Sequence, residues 1–93
     1  MTVGILTVTL LIPESFSLKD KRSVLQGLKA RLRQDLNVSV AEVDHQEEWN
    51  RATLGIAAVG TDGTFVRKVC DEAVARIRRE PRVGISGREL ELI

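Results

Sequence analysis

"NVSVAEVDHQEEWNRATLGIAAVG", residues 37–60, holds two runs rich in strand-forming residues, Val38 to Gln46 and Arg51 to Gly60, on either side of the polar segment Glu47-Glu48-Trp49-Asn50. That pattern is a β-hairpin. Working outward, the period changes on both sides. Before the hairpin, Leu18, Val24, Leu25, Leu28, Leu32 and Leu36 fall in one arc of about 120° on a helical wheel, the apolar stripe of a helix packed on a sheet. Ser17 is its N-cap candidate, Asp20 stands three residues on as in a shortened capping box, and Asn37 suits the C-terminal stop. After the hairpin, Gly60-Thr61-Asp62-Gly63 supplies a breaker and a cap. Val66, Val69, Cys70, Ala73 and Ile77 then trace a second amphipathic helix to Arg79, and Pro81 ends it. Outermost, Val3 to Ile12 reads as a strand stopped by Pro13. Val83 to Ile93 reads as another, in which Gly84, Gly87 and a change of phase predict a bulge.

The order is therefore βαββαβ. The favoured arrangement is the α+β ferredoxin-like sandwich, a four-stranded antiparallel sheet of order 4-1-3-2 with both helices on one face. The chain has 93 residues, 43% of them hydrophobic and 29% charged, which suits one domain over 1–93 with a single modest core. The apolar start, Met1 to Ile12, has no basic leader and is too short to span a bilayer, so the expectation is no signal peptide, no membrane association and a cytoplasmic location. The single cysteine, Cys70, has no partner for a disulfide and reads as a small buried apolar group.

The formal net charge is only +1, but its distribution is uneven. Residues 19–33 hold Lys19, Lys21, Arg22, Lys29, Arg31 and Arg33 against the single anion Asp20, whereas residues 42–48 hold Glu42, Asp44, Glu47 and Glu48 and no Lys or Arg. Cations at a helix start oppose the backbone dipole. The expected topology brings the helix start and the acidic hairpin to one end of the sheet, so one reading has Asp44, Glu47 and Glu48 neutralise Lys19, Lys21 and Arg22. The other has Lys19, Lys21, Arg22, Lys29 and Arg33 bind anions, as a ridge that tracks the phosphates of a nucleic acid, with Arg78, Arg79 and Arg82 expected at the same end. An alternative confines the site to the first helical turn, where a small enzyme or sensor would hold a phosphorylated metabolite.

With even positions of the strands facing the helices, the open sheet face consists of Thr7, Thr9, Ser39, Ala41, Thr53, Gly55 and Ala57. It has no aromatic residue to stack a base. Flanked by Val3, Ile5, Leu11 and Val59, it suits a second copy of the chain, a homodimer through the sheet. His45, the only histidine, and Trp49 are secondary candidates. Neighbours in a strand point to opposite faces, so Asp44 and His45 share a ligand only where the hairpin distorts. Trp49 reads as a pin for the hairpin or a partner contact. No phosphate loop, nucleophile elbow or paired metal-ligand spacing is present, and neither a catalytic residue, a metal nor a cofactor is expected.

"SLKDKRSVL" (17–25) and "NVSVAEVDHQEEWNRATLGIA" (37–57), in this order and spacing, resemble the YlxP-like family of small bacterial proteins of unknown function, over almost the whole chain. The resemblance implies a ferredoxin-like fold, a gene setting among factors for translation initiation and ribosome maturation, and no established catalytic residues. It implies signature positions at Ser17, Leu18, Lys19, Lys21, Arg22 and Ser23 and at Asp44, His45, Gln46 and Trp49. The expected function is a non-enzymatic factor that binds RNA or a ribosomal subunit through the basic edge of the first helix.

Overall fold

Thr2–Leu11, ten residues without a breaker other than Gly4, form the central strand β1 of the structure, a computed structural model that describes residues Met1–Ile93. Helix α1 (Leu18–Asp35), strands β2 (Val38–Asp44) and β3 (Arg51–Gly60), helix α2 (Gly63–Arg78) and strand β4 (Gly84–Leu92) follow in the βαββαβ order. The sheet runs β2-β3-β1-β4 with every neighbouring pair antiparallel, which is the predicted order read from the opposite edge. Both helices lie on one face, where Leu6, Val8 and Leu10 of β1 and Leu54, Ile56 and Ala58 of β3 are buried against Val24, Leu25, Leu28 and Leu32 of α1 and Val66, Cys70, Ala73, Val74 and Ile77 of α2. Burial raises the Cys70 thiol pKa, as expected for an apolar group in the core. No helix is long and apolar enough to cross a membrane.

Local chemistry sets the helix ends. The Ser17 hydroxyl accepts the Asp20 N–H at 3.0 Å, and the Asp20 carboxylate accepts the N–H of Phe16 at 3.1 Å, a reciprocal cap displaced by one residue from the usual box. Asp62 caps α2 by accepting the Phe65 N–H at 2.9 Å, without a reciprocal bond. At residue 4 only a glycine fits, because a Cβ there would lie 2.5 Å from Val66 Cγ1. That close approach seats α2 on β1.

Two stretches depart from regular strand. In β4 the register against β1 shifts between Thr9 and Leu10, leaving Ser86 as the extra residue of the bulge predicted there. In β2 the register shifts at Val43, and His45 takes a left-handed backbone conformation with φ 62°. β2 therefore stops at Asp44, short of the expected Gln46. The end of α2 is also placed differently from expectation. Arg31 meets Glu80 at 2.8 Å and Arg76 pairs with Asp35, so the last turns of α2 lie beside the second half of α1 and not beside its start. Arg78, Arg79 and Arg82 are accordingly remote from the helix start they were expected to join, and Arg82 is spent on Glu80 at 2.7 Å.

Candidate functional site

The six cations of α1 divide by wheel position into Lys21, which is buried, Arg31, which pairs with Glu80, and four that form a stripe. Lys21 is 1% exposed. Its ammonium sits 2.9 Å from Glu42 Oε2 and donates to the carbonyls of His45 (3.0 Å), Gln46 (3.2 Å) and Arg51 (3.3 Å). An ammonium has three N–H donors, and four oxygens already surround this one. Lys21 therefore does not stand on an anion-binding surface, contrary to the expectation from its charge. It clasps the start of α1 to the β2–β3 hairpin, and the left-handed turn at His45 aims that residue's carbonyl into the clasp. The neutralisation expected between hairpin acids and helix cations occurs once, and through Glu42 in place of Asp44, Glu47 or Glu48.

Lys19, Arg22, Lys29 and Arg33 are in no ion pair; the ion pairs of the other lysine and arginine residues are made by Lys21, Arg31, Arg51, Arg76 and Arg82. With Gln26 among them they recur at steps of three and four residues, a single line along α1. At about 1.5 Å per residue that line is about 21 Å long. Arg33 also donates to the Val40 carbonyl of β2. The acids nearest the start of the line have other partners: Asp20 accepts from Phe16, Glu42 holds Lys21, and Glu48 is gripped by Arg51 at 2.9 Å, whose hydrogen bond holds the Glu48 carboxyl below its usual range. In the first turn, then, the Asp20 N–H is taken by Ser17 and Lys21 is withdrawn, which leaves a small phosphorylated ligand the Leu18 and Lys19 amides and the side chains of Lys19 and Arg22.

At the hairpin, His45 Nδ1 lies 2.7 Å from Thr53 Oγ1, which is 3.3 Å from Thr9 Oγ1. The bulge at Val43 and the turn at His45 are the distortion that lets Asp44 and His45 face the same side. Both line a shallow hollow of about 370 Å³ on the open sheet face with Thr7, Thr9 and Thr53. No group of three or more His, Cys, Asp or Glu side chains gathers there or elsewhere to hold a metal. Trp49 is 54% exposed, and its carbonyl accepts a hydrogen bond from the buried Ser15 hydroxyl. Its backbone pins the hairpin while its side chain is about half exposed.

The sequence reading overlooked Phe16, which is 78% exposed one residue before the cap of α1. Its signal was an apolar residue ahead of an N-cap with no apolar residue at the fourth helical position to staple to, where Lys21 stands instead.

Two comparisons bear on these residues. A family model described as "Protein of unknown function (DUF503)" matches residues 3–89. The uncharacterized protein YlxP of Bacillus subtilis (strain 168) is 32% identical over 81 residues, covering 87% of this chain and 88% of that protein.

Proposed function

The chain belongs to the DUF503 family of proteins of unknown function, and from that premise we propose that it is a non-catalytic factor that binds RNA, free or in a ribosomal subunit, along the basic stripe of α1. The observation that carries this reading is the line Lys19, Arg22, Lys29, Arg33, four cations on one helix edge that the acidic hairpin leaves unpaired. Cations at such spacing release counterions from a phosphate backbone wherever they meet it, independent of base sequence. A single small phosphate would engage only one end of the line. The extent of the stripe therefore favours a polyanion over a metabolite.

The test replaces Arg22 and Lys29 together with glutamine and follows RNA binding by anisotropy, and co-sedimentation with ribosomal subunits, across a salt series. Arg33 is left in place because it also holds Val40. The double variant is expected to bind more weakly on every RNA sequence, with the slope of log affinity against log salt reduced by about 0.7–0.9 per lost contact. An unchanged slope, with inorganic phosphate binding lost, would favour the metabolite reading.

We also propose that the open sheet face pairs with a second copy. Ile5, Leu11, Val43 and Val59 are exposed apolar residues on or beside this face. Glu89 and Glu91 of β4 pair with Thr7 and Ile5 and so lie toward the same face. The contact is therefore centred over β3, with β1 and β2 on either side, set back by one strand from the β4 carboxylates.

A further inference from the structure

We infer that the RNA is single-stranded where it meets this protein, its unpaired bases stacking on Phe16 and Trp49 while its phosphates run along Lys19, Arg22 and Lys29. The inference rests on the RNA-binding reading of the same stripe and adds the class of RNA. Only three phenylalanine or tryptophan residues occur in the chain, Phe16, Trp49 and Phe65; all are exposed, and two of them, Phe16 and Trp49, lie at the end where α1 begins. A phenyl ring left in water forgoes the free energy that burial would give it, and nothing in the fold uses the Phe16 ring. It is not a helix staple, because Lys21 occupies the position a staple needs.

The two rings are carried by backbone that is stitched together. The Ser15 hydroxyl donates to the Trp49 carbonyl, the Ile12 N–H donates to the Asn50 carbonyl at 2.8 Å, and the Phe16 N–H is held by Asp20. Phe16 precedes the extended N-cap Ser17 and so stands just ahead of the helical turn that carries Lys19 and Arg22, at the N-terminal end of the stripe. A line of cations that ends in exposed aromatic rings is the pattern of single-strand recognition, in which the groove follows the backbone and each base offers a flat face to a ring. A duplex keeps its bases stacked inside the helix, where they do not reach such rings. The bases are thus read here by loops at the end of the sheet, and not by the open face.

Trp49 is the only tryptophan and the chain has no tyrosine, so its fluorescence reports this site alone. The experiment titrates the whole protein with a single-stranded oligouridylate and with an RNA duplex of equal phosphate number. The single strand is expected to quench Trp49 to saturation, and the duplex to leave it unchanged. By anisotropy, Phe16→Ala and Trp49→Ala should each weaken single-strand binding about 5- to 100-fold, with the salt slope and the duplex affinity unchanged. Trp49→Phe, which keeps an aromatic face and the hairpin, should retain most of the affinity. Equal binding of both RNAs through Arg22 and Lys29, without quenching, would overturn the stacking inference and leave the RNA reading intact. Failure to bind either RNA would overturn both.

Discussion

The Lys21 ammonium and the Glu42 carboxylate meet at 2.9 Å across the gap between α1 and β2, one side chain almost wholly buried and the other at the sheet edge. With the carbonyls of His45, Gln46 and Arg51 on the same nitrogen, the pair fixes the helix start against the hairpin tip. Removing the ammonium leaves a carboxylate and three carbonyls without their donor. Lys21→Met should therefore destabilise the fold by about 2–4 kcal/mol, and Glu42→Gln by less, because the carbonyls keep their partner. Urea unfolding should show a lower midpoint with an unchanged m-value.

Glu80 supplies a pH dependence. Hydrogen bonds from the Arg82 side chain, with the Arg82 backbone N–H and the charges of Arg82 and Arg31, hold its carboxyl at a pKa of about 2, below the ordinary 4.5. A depressed carboxylate stabilises the fold fully above the ordinary value and loses that contribution as pH falls through the window from 4.5 toward about 2. Since its arginine partners are half-exposed and screened by water, the loss should be about 1 kcal/mol. Thermal unfolding across that window should show a shallower acid dependence in Glu80→Gln than in the parent.

Residue 4 tests the helix–sheet contact. Gly4→Ala would press a methyl to within 2.5 Å of Val66 Cγ1 and 3.1 Å of Cys70 Sγ, both buried. Overpacking of this kind costs about 1–3 kcal/mol. Val66→Ala should recover part of that loss when combined with it, a favourable coupling measurable in a double-mutant cycle.

Assembly is tested by sedimentation at micromolar concentration. A dimer through the open face should bury at least about 1,000 Å² in total, and Ala57→Glu, an exposed position central to that face, should give monomers that remain folded. A parent protein that sediments as a monomer would remove the second copy from the proposal.

The fold was legible because the hydrophobic period changes cleanly at Leu18, at the hairpin and at Gly63, and the order of periods leaves one favoured topology. Lys21 was legible too, though not by its charge. Seven residues before Leu28, it falls about 20° from that leucine on the wheel, inside the apolar stripe, while Lys19, Arg22 and Lys29 stand beside it. Position outweighed residue type. The hairpin distortion was less accessible, because the left-handed backbone at His45 is held by groups distant in sequence: the Lys21 ammonium on its carbonyl and Thr53 on its ring. The meeting of Arg31 with Glu80 depends on the angle at which the helices cross, which packing decides and periodicity does not encode.

Arg33 has a consequence for aggregation. β2 is an edge strand of an open sheet, and unpaired backbone groups on such an edge are a template for adding a strand from another chain. The Arg33 guanidinium occupies the Val40 carbonyl and places a charge beside that edge, where an incoming strand would have to displace it. Neutralising Arg33 would thus expose a route to intermolecular β-pairing even in a molecule whose native stability had not changed.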